Sequence, residues 1–279
     1  MRLDSGTMGR PTLQDTRSSL SRGLSLLDMF TPERTELSVR ELARASGVPR
    51  STTHRLVRDL LAWGALEQGQ VGVRLGVKLF ELGTIAPAPS TLREAATPLM
   101  HTLAEVTGLT ANLAIREGSD IVYLDKISRR SLRVPHSRLG GRGQLHATAL
   151  GKAILAFSSE DVVAAALAAP LPSLTVHTII EPALVRRALR VIRRETVAYD
   201  IEESLLGLFC VAAPILDVRR RPLGAISVTG ATGLAQAQRF APVVMATARS
   251  ISRTLFPHAG VLPSKRSGHH VLPSATGDE

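Results

Sequence analysis

Residues 41–60 read ELARASGVPRSTTHRLVRDL, and the fold turns on how that stretch is divided. Ser38 stands where a helix N-cap belongs, ahead of VRELARAS, in which Val39, Leu42 and Ala45 share a face. Gly47 suits the left-handed residue that ends such a helix. Pro49 suits the first turn of the next one, where a missing N–H would have had no partner anyway. In that next helix Thr53, Leu56, Val57 and Leu60 recur at intervals of three and four and are expected to face inward. Arg50, Ser51, Thr52, His54, Arg55 and Arg58 are then left outward. Hydroxyls and guanidinium groups donate to phosphates and base edges, and a helix N-terminus attracts phosphate. Two such helices, the second offering its opening turns to a major groove, form a helix-turn-helix. The plainer reading is that Ser51 and Thr52 serve helix initiation while the arginines solvate a face.

Outward from this stretch the pattern continues. From Ser19, SLSRGLSLLDMF places Leu20, Leu24, Leu27 and Phe30 at helical spacing, behind a polar arm at 1–18. After Trp63-Gly64 come ALEQ and VGVRL, two extended runs about Gly69-Gln70, a hairpin pattern on which Arg74 is placed to meet phosphate or a minor groove. Three helices and a hairpin make a winged helix-turn-helix over 19–83, closed by a short helix in GVKLFELG. The Pro-rich TIAPAPS at 84–90 reads as a break, giving a linker at 84–92.

A chain of 279 residues exceeds the usual single-domain size, so a second domain is expected over 93–257. Its elements alternate. A helix near 91–107 is interrupted or restarted at Pro98; a hairpin turns at Gly118-Ser119-Asp120; SLRV is a strand; and the glycine loop LGGRG leads into HATALGKAILAF. Helical patterns follow near 160–168 and 182–195, then the strands CVAAPILD and LGAISVTG, then a helix over about 234–256 and a tail at 258–279. That order fits an α+β domain with a mostly antiparallel sheet.

Composition narrows the function. A hydrophobic fraction of 44% excludes global disorder. A formal charge of +10 favours a polyanionic partner, although arginines are scattered along the whole chain. The single cysteine, Cys210, excludes an internal disulfide and fits a reducing cytoplasm. No apolar signal segment opens the chain, and VVAAALAA at 162–169 is too short to span a bilayer, so no membrane partner is expected. ALGKA fails as a phosphate loop, because Ala153 follows Lys152 and residue 146 is His. No metal-ligand spacing surrounds Cys210, and no metal or cofactor is expected.

In the second domain, GRGQLHATALG brings a glycine loop into a helix start, where free amides favour an anion such as a carboxylate. Asp200 precedes Glu202 and Glu203; Cys210 opens a strand; Ser227 and Thr229, two apart, point to one side of another. Each also has a structural reading as helix packing, a small buried hydrophobe or a polar edge. An enzyme acting on a small acid, including a Cys210–His146 hydrolase, stands as the alternative, and a DNA-binding protein with a closed, unliganded pocket as a third.

The motifs LSVRELARASGVPRSTTHRLVRDLLAWGALEQ and RLG, followed by REGSDIVYLDKI, HATALGKAILAF, YDIEESLLGLFCVAAPI and GAISVTG, resemble IclR-type transcriptional regulators over roughly residues 19–257. The resemblance implies a winged helix, a linker helix and a GAF-like effector-binding domain. It also implies homodimers or dimers of dimers on palindromic operators, and no catalysis. Matched motif to motif, it places Gly143, Ala149 and Leu150 as amide donors to the effector, Asp200 and Cys210 as pocket wall, Ser227 and Thr229 as hydroxyl partners, and Leu132 as an apolar lid. The sequence departs from the family at Val73, where an aromatic residue is usual, and at Thr53, where an aliphatic one is.

Overall fold

The computed structural model of the chain describes residues 18–128, 137–231 and 234–257. The expected arm before Ser18, the SLRV strand with Leu132, and the tail from 258 lie outside the described residues. Two compact units meet between Pro87 and Ala88.

The first unit runs α1 (Ser19–Leu27), β1 (Glu36–Leu37), α2 (Val39–Ser46), α3 (Arg50–Trp63), β2 (Leu66–Gln68), β3 (Val73–Leu75) and α4 (Val77–Thr84). Ser38 and Glu41 cap α2 reciprocally: Ser38 Oγ accepts from the Glu41 N–H at 3.3 Å, and the Glu41 carboxylate accepts from the Ser38 N–H at 2.9 Å. Gly47 ends α2 at φ 69°, a left-handed turn that a side chain would strain. The turn delivers α3 onto a core of Leu26, Leu37, Leu42, Leu56, Val57, Leu66 and Val73. Thr53 is fully buried in that core, its hydroxyl shared between the Val48 and Pro49 carbonyls at 3.2 Å each. The threonine therefore replaces an aliphatic residue without leaving an orphan polar atom.

Several expectations for this unit need correction. Leu20 and Leu24 are 73% and 43% exposed; α1 buries Gly23 and Leu26 instead, and of the expected residues Leu27 and Phe30 pack partly buried against the same core. Ser46, not Ala45, is buried on α2, with its hydroxyl donating to the Leu42 carbonyl at 2.7 Å. Pro49 is the residue before α3 rather than its first member. The hairpin gains a third strand, β1, in the order β1-β3-β2.

The second unit runs α5 (Pro87–Thr107), β4 (Thr110–Glu117), β5 (Asp120–Ile127), β6 (Arg142–Gln144), α6 (Ala149–Leu155), α7 (Glu160–Ala166), α8 (Pro182–Glu195), β7 (Ala198–Ile201), β8 (Phe209–Leu216), β9 (Pro222–Gly230) and α9 (Leu234–Leu255). The expected linker at 84–92 is not a separate segment, since α5 starts at Pro87. Proline in a first turn forfeits only an N–H that the helix start leaves free. Nor does Pro98 break α5: it and Glu94, whose carbonyl loses its partner there, are both exposed to water. Part of the glycine loop is strand β6, paired with β5.

The sheet is antiparallel throughout, in the order β6-β5-β4-β9-β8-β7. One face carries Ala111, Leu113, Val211, Ile215, Ile226 and Val228 against α5 and α9; the other carries Ala114, Ala198, Ala212 and Ala225 against α6. Small residues on that second face let α6 sit close. Gly151 shows how close, for a Cβ there would stand 2.4 Å from the Leu145 carbonyl oxygen. Between β4 and β5 the register slips: Leu113 pairs with Asp125 and Ala114 with Tyr123, which leaves Leu124 as the extra residue of a β-bulge.

Candidate functional site

On the first unit, α3 begins without a side-chain cap, so its first-turn amides find no hydroxyl or carboxylate from the residue before it. Arg50, Ser51, His54, Arg55 and Arg58 are exposed and Thr52 partly so. Ser51, His54, Arg55 and Arg58 line one wall of a concavity of about 600 Å³, and Gln68, Gly72 and Val73 of the hairpin line the other. These cations differ in freedom. Arg55 is held by Asp59 at 3.6 Å and by Ser19 Oγ at 3.2 Å, whereas Arg50 and Arg58 have no carboxylate partner among the described residues. Arg74 is neutralised, its Nε donating to Glu67 across the hairpin at 2.6 Å. Beside it the Glu36 carboxylate accepts from the amides of Val71 and Gly72, the latter at 2.7 Å, and so fixes the hairpin tip with a negative group.

On the second unit a small cavity lies between α6 and the sheet. Its lining includes Ala149, Leu150, Asp200, Cys210, Ser227 and Thr229, six of the seven effector residues expected from sequence. Gly143 is not in that lining; it sits in β6 opposite Ile121. Cross-strand register assembles the rest, because Asp200 pairs with Cys210, Cys210 with Thr229, and Ser227 with Asn112. Thr148 caps α6 by accepting from the Gly151 N–H at 3.0 Å, and the Ala149 and Leu150 amides find no acceptor among the described residues. Tyr123, Ser137, Thr148, Ser204 and Leu208 complete the wall, none of them expected as ligand contacts. Thr148, as a helix N-cap, and Ser204, four residues beyond the aspartate to which it donates, carried local signals. The enclosed volume is about 10 Å³, room for roughly one water.

The cavity's electrostatics follow from burial. Asp200 is fully buried, and its carboxylate accepts from the Glu203 N–H at 2.9 Å, the Ser204 N–H at 3.1 Å and the Ser204 hydroxyl. Burial raises its pKa above the ordinary 3.8, against the pull of the Ser204 hydroxyl, Lys152 and the two amides. Burial likewise raises the Cys210 thiol, with Asp200 adding to the shift, and Cys210 Sγ lies 3.1 Å from Thr229 Oγ1. Burial also raises Tyr123, with Cys210 and Asp200 contributing. Thiol and phenol therefore stay protonated, as hydrogen-bonding walls rather than nucleophiles. His146, the base of the alternative hydrolase, lies against the Pro172 carbonyl at 3.0 Å and is absent from the cavity lining. Behind the wall, Lys152 of α6 forms a buried ion pair with Glu203, joining the helix to the loop that Asp200 organises.

Comparison with known proteins places both units. Residues 19–70 match the IclR helix-turn-helix domain, and residues 88–253 match the bacterial transcriptional regulator IclR C-terminal domain. The HTH-type transcriptional regulator XynR of Escherichia coli (strain K12) is 32% identical over 217 residues, covering 77% of this chain and 86% of that protein. The transcriptional repressor IclR of the same strain is 34% identical over 217 residues, covering 76% and 79%. Among solved structures, an IclR homolog from Microbacterium hydrocarbonoxydans complexed with 4-hydroxybenzoate superposes with a TM-score of 0.79 at 26% identity, over 85% of this chain and 99% of that one. Among the described residues no helix is long and apolar enough to cross a membrane.

Proposed function

The chain belongs to the IclR family of DNA-binding transcriptional regulators with a C-terminal ligand-binding domain, and from that premise we propose which residues do the work. Arg50, Ser51, Thr52, His54, Arg55 and Arg58 seat α3 in the major groove of an operator. The observation that carries this is a flank of exposed cations and hydroxyls on an uncapped helix start. Arg74 plays a lesser part, because its charge is already matched by Glu67. Two copies read two half-sites. Support for a homodimer or homotetramer comes from apolar side chains left in water on α1, on α4 and just after α4, where Leu20, Phe80 and Ile85 are each at least 70% exposed.

The effector is a small organic acid held in the cavity between α6 and the sheet, its carboxylate on the Ala149 and Leu150 amides and its body against Ser227 and Thr229. The relative bound to 4-hydroxybenzoate supports that chemistry. A cavity of about 10 Å³ admits such a molecule only after its walls part. Closed and open forms thus bind the effector with different affinity, which is the condition for a ligand to shift a conformational equilibrium. Protonated Cys210 and a His146 outside the cavity lining favour binding over turnover, so the protein works in the cytoplasm as a switch and not as an enzyme.

Fluorescence anisotropy with fragments of the gene's own upstream region tests the DNA reading. Binding that weakens steeply as salt rises is the expected result; salt-insensitive or absent binding to every fragment would refute it.

A further inference from the structure

The bulge in β5 decides which charge the sheet turns toward the cavity. Strict alternation from Tyr123, which lines the cavity, would bring Asp125 to the same face and turn Lys126 away. With Leu124 as the extra residue, Asp125 instead pairs with Leu113, and its carboxylate goes to α5, accepting from Thr97 Oγ1 at 2.9 Å and Arg93 Nε at 3.5 Å. Lys126 pairs with Asn112, whose side-chain amide reaches Thr229 at 3.1 Å and Ser227 at 3.5 Å, so Lys126 takes the cavity face. Its Nζ donates to Ser137 Oγ at 3.0 Å, and Ser137 is itself buried in the cavity wall. No carboxylate pairs with Lys126 among the described residues, and partial burial lowers its pKa. Bulges beside binding sites commonly re-aim a side chain in this way.

The cavity's own charge favours a cation beside it. Among the described residues its lining holds one carboxylate, Asp200, and no Lys or Arg, while the nearby Lys152 is taken up by Glu203. A carboxylate ligand would meet Asp200 with only two amides in its favour. We propose that Lys126 is the effector's counter-ion and the residue that selects acids over their neutral analogues, exchanging its Ser137 contact for the ligand's carboxylate. This assignment rests on the effector cavity proposed above.

The test uses the full chain and four acids (4-hydroxybenzoate, benzoate, pyruvate and succinate), each beside its amide, with binding read by calorimetry and thermal shift. At least one acid should bind more tightly than its amide. Lys126→Met should weaken that acid by about tenfold or more and leave the amide within about twofold, with Lys126→Arg restoring the acid's advantage. Ser227→Ala, which spares the charge, should weaken acid and amide alike. Acid binding that survives Lys126→Met but falls with Ser227→Ala overturns the counter-ion and keeps the cavity. Binding indifferent to Ser227→Ala, or absent for every acid and amide, overturns the cavity and the counter-ion with it.

Discussion

The outer flank of α3 and the wall of the α6 cavity are the two polar surfaces that define this molecule, and they are polar in opposite ways. On α3 the groups are long, charged and hydrated, Arg50 and Arg58 at the end of flexible stems and without carboxylate partners among the described residues. In the cavity they are neutral or desolvated and already bonded: Asp200 to Ser204, Cys210 to Thr229, and Ser227 to Asn112 behind it. The first surface can lose one member and keep the rest, because exposed charges act on a polyanion nearly independently. The second is held by close packing, so a disturbance at one wall reaches the others.

Gly151→Ala is the most severe way to probe that contrast. Its new methyl group would press on the Leu145 backbone, so α6 must shift or the sheet must give. We expect a loss of about 2–3 kcal/mol, the upper range for overpacking, read by denaturant unfolding. A loss below about 0.5 kcal/mol, the range of neutral surface changes, would mean that the cavity wall yields easily.

Arg58→Ala should leave stability alone and weaken operator binding about tenfold, flattening the salt dependence by about one unit. Arg55→Ala should cost less, since that guanidinium must first give up Asp59 and Ser19. Equal losses at the two positions, measured by anisotropy across a salt series, would erase the distinction between free and engaged cations.

The subtlest test is a slope. Asp200 has a raised pKa in the folded chain, so the native state holds the proton more tightly than the unfolded one. Its contribution to stability is greatest at pH values below the ordinary 3.8 and declines as pH climbs through the folded pKa. Glu203, also raised chiefly by burial, works in the same direction. In Asp200→Asn the Asp200 share of that decline should disappear. An unchanged pH profile would place the burden on Glu203 alone.

The contrast also explains what could be read in advance. The helix-turn-helix is written locally: Ser38 and Glu41 three apart, Gly47 at a left-handed turn, Pro49 before a helix, and inward residues at intervals of three and four. The same periodicity misled at α1, where Leu20 and Leu24 offered one face and Gly23 with Leu26 took the core. Two-residue β1 and four-residue β7 left no alternation to detect; they are strands because β3 and β8 pair with them. In the cavity, Ser227 and Thr229 announced themselves by spacing. Tyr123, Ser137 and Leu208 did not, being gathered from distant parts of the chain, one from a strand and two from loops. The bulge at Leu124 is the extreme case, since one unpaired residue exchanges the faces of an aspartate and a lysine with no mark in the sequence.

A chamber with room for little more than a single water also sets a tempo. Arriving molecules must wait for a gap, so the observed association rate should rise with concentration only until it meets the frequency of that event, then level off. Apparent affinity is diluted by the same rarity, in proportion to the time the chamber spends ajar. Substitutions that merely loosen α6 would then make the protein respond sooner and at lower dose without touching any atom that meets the incoming molecule.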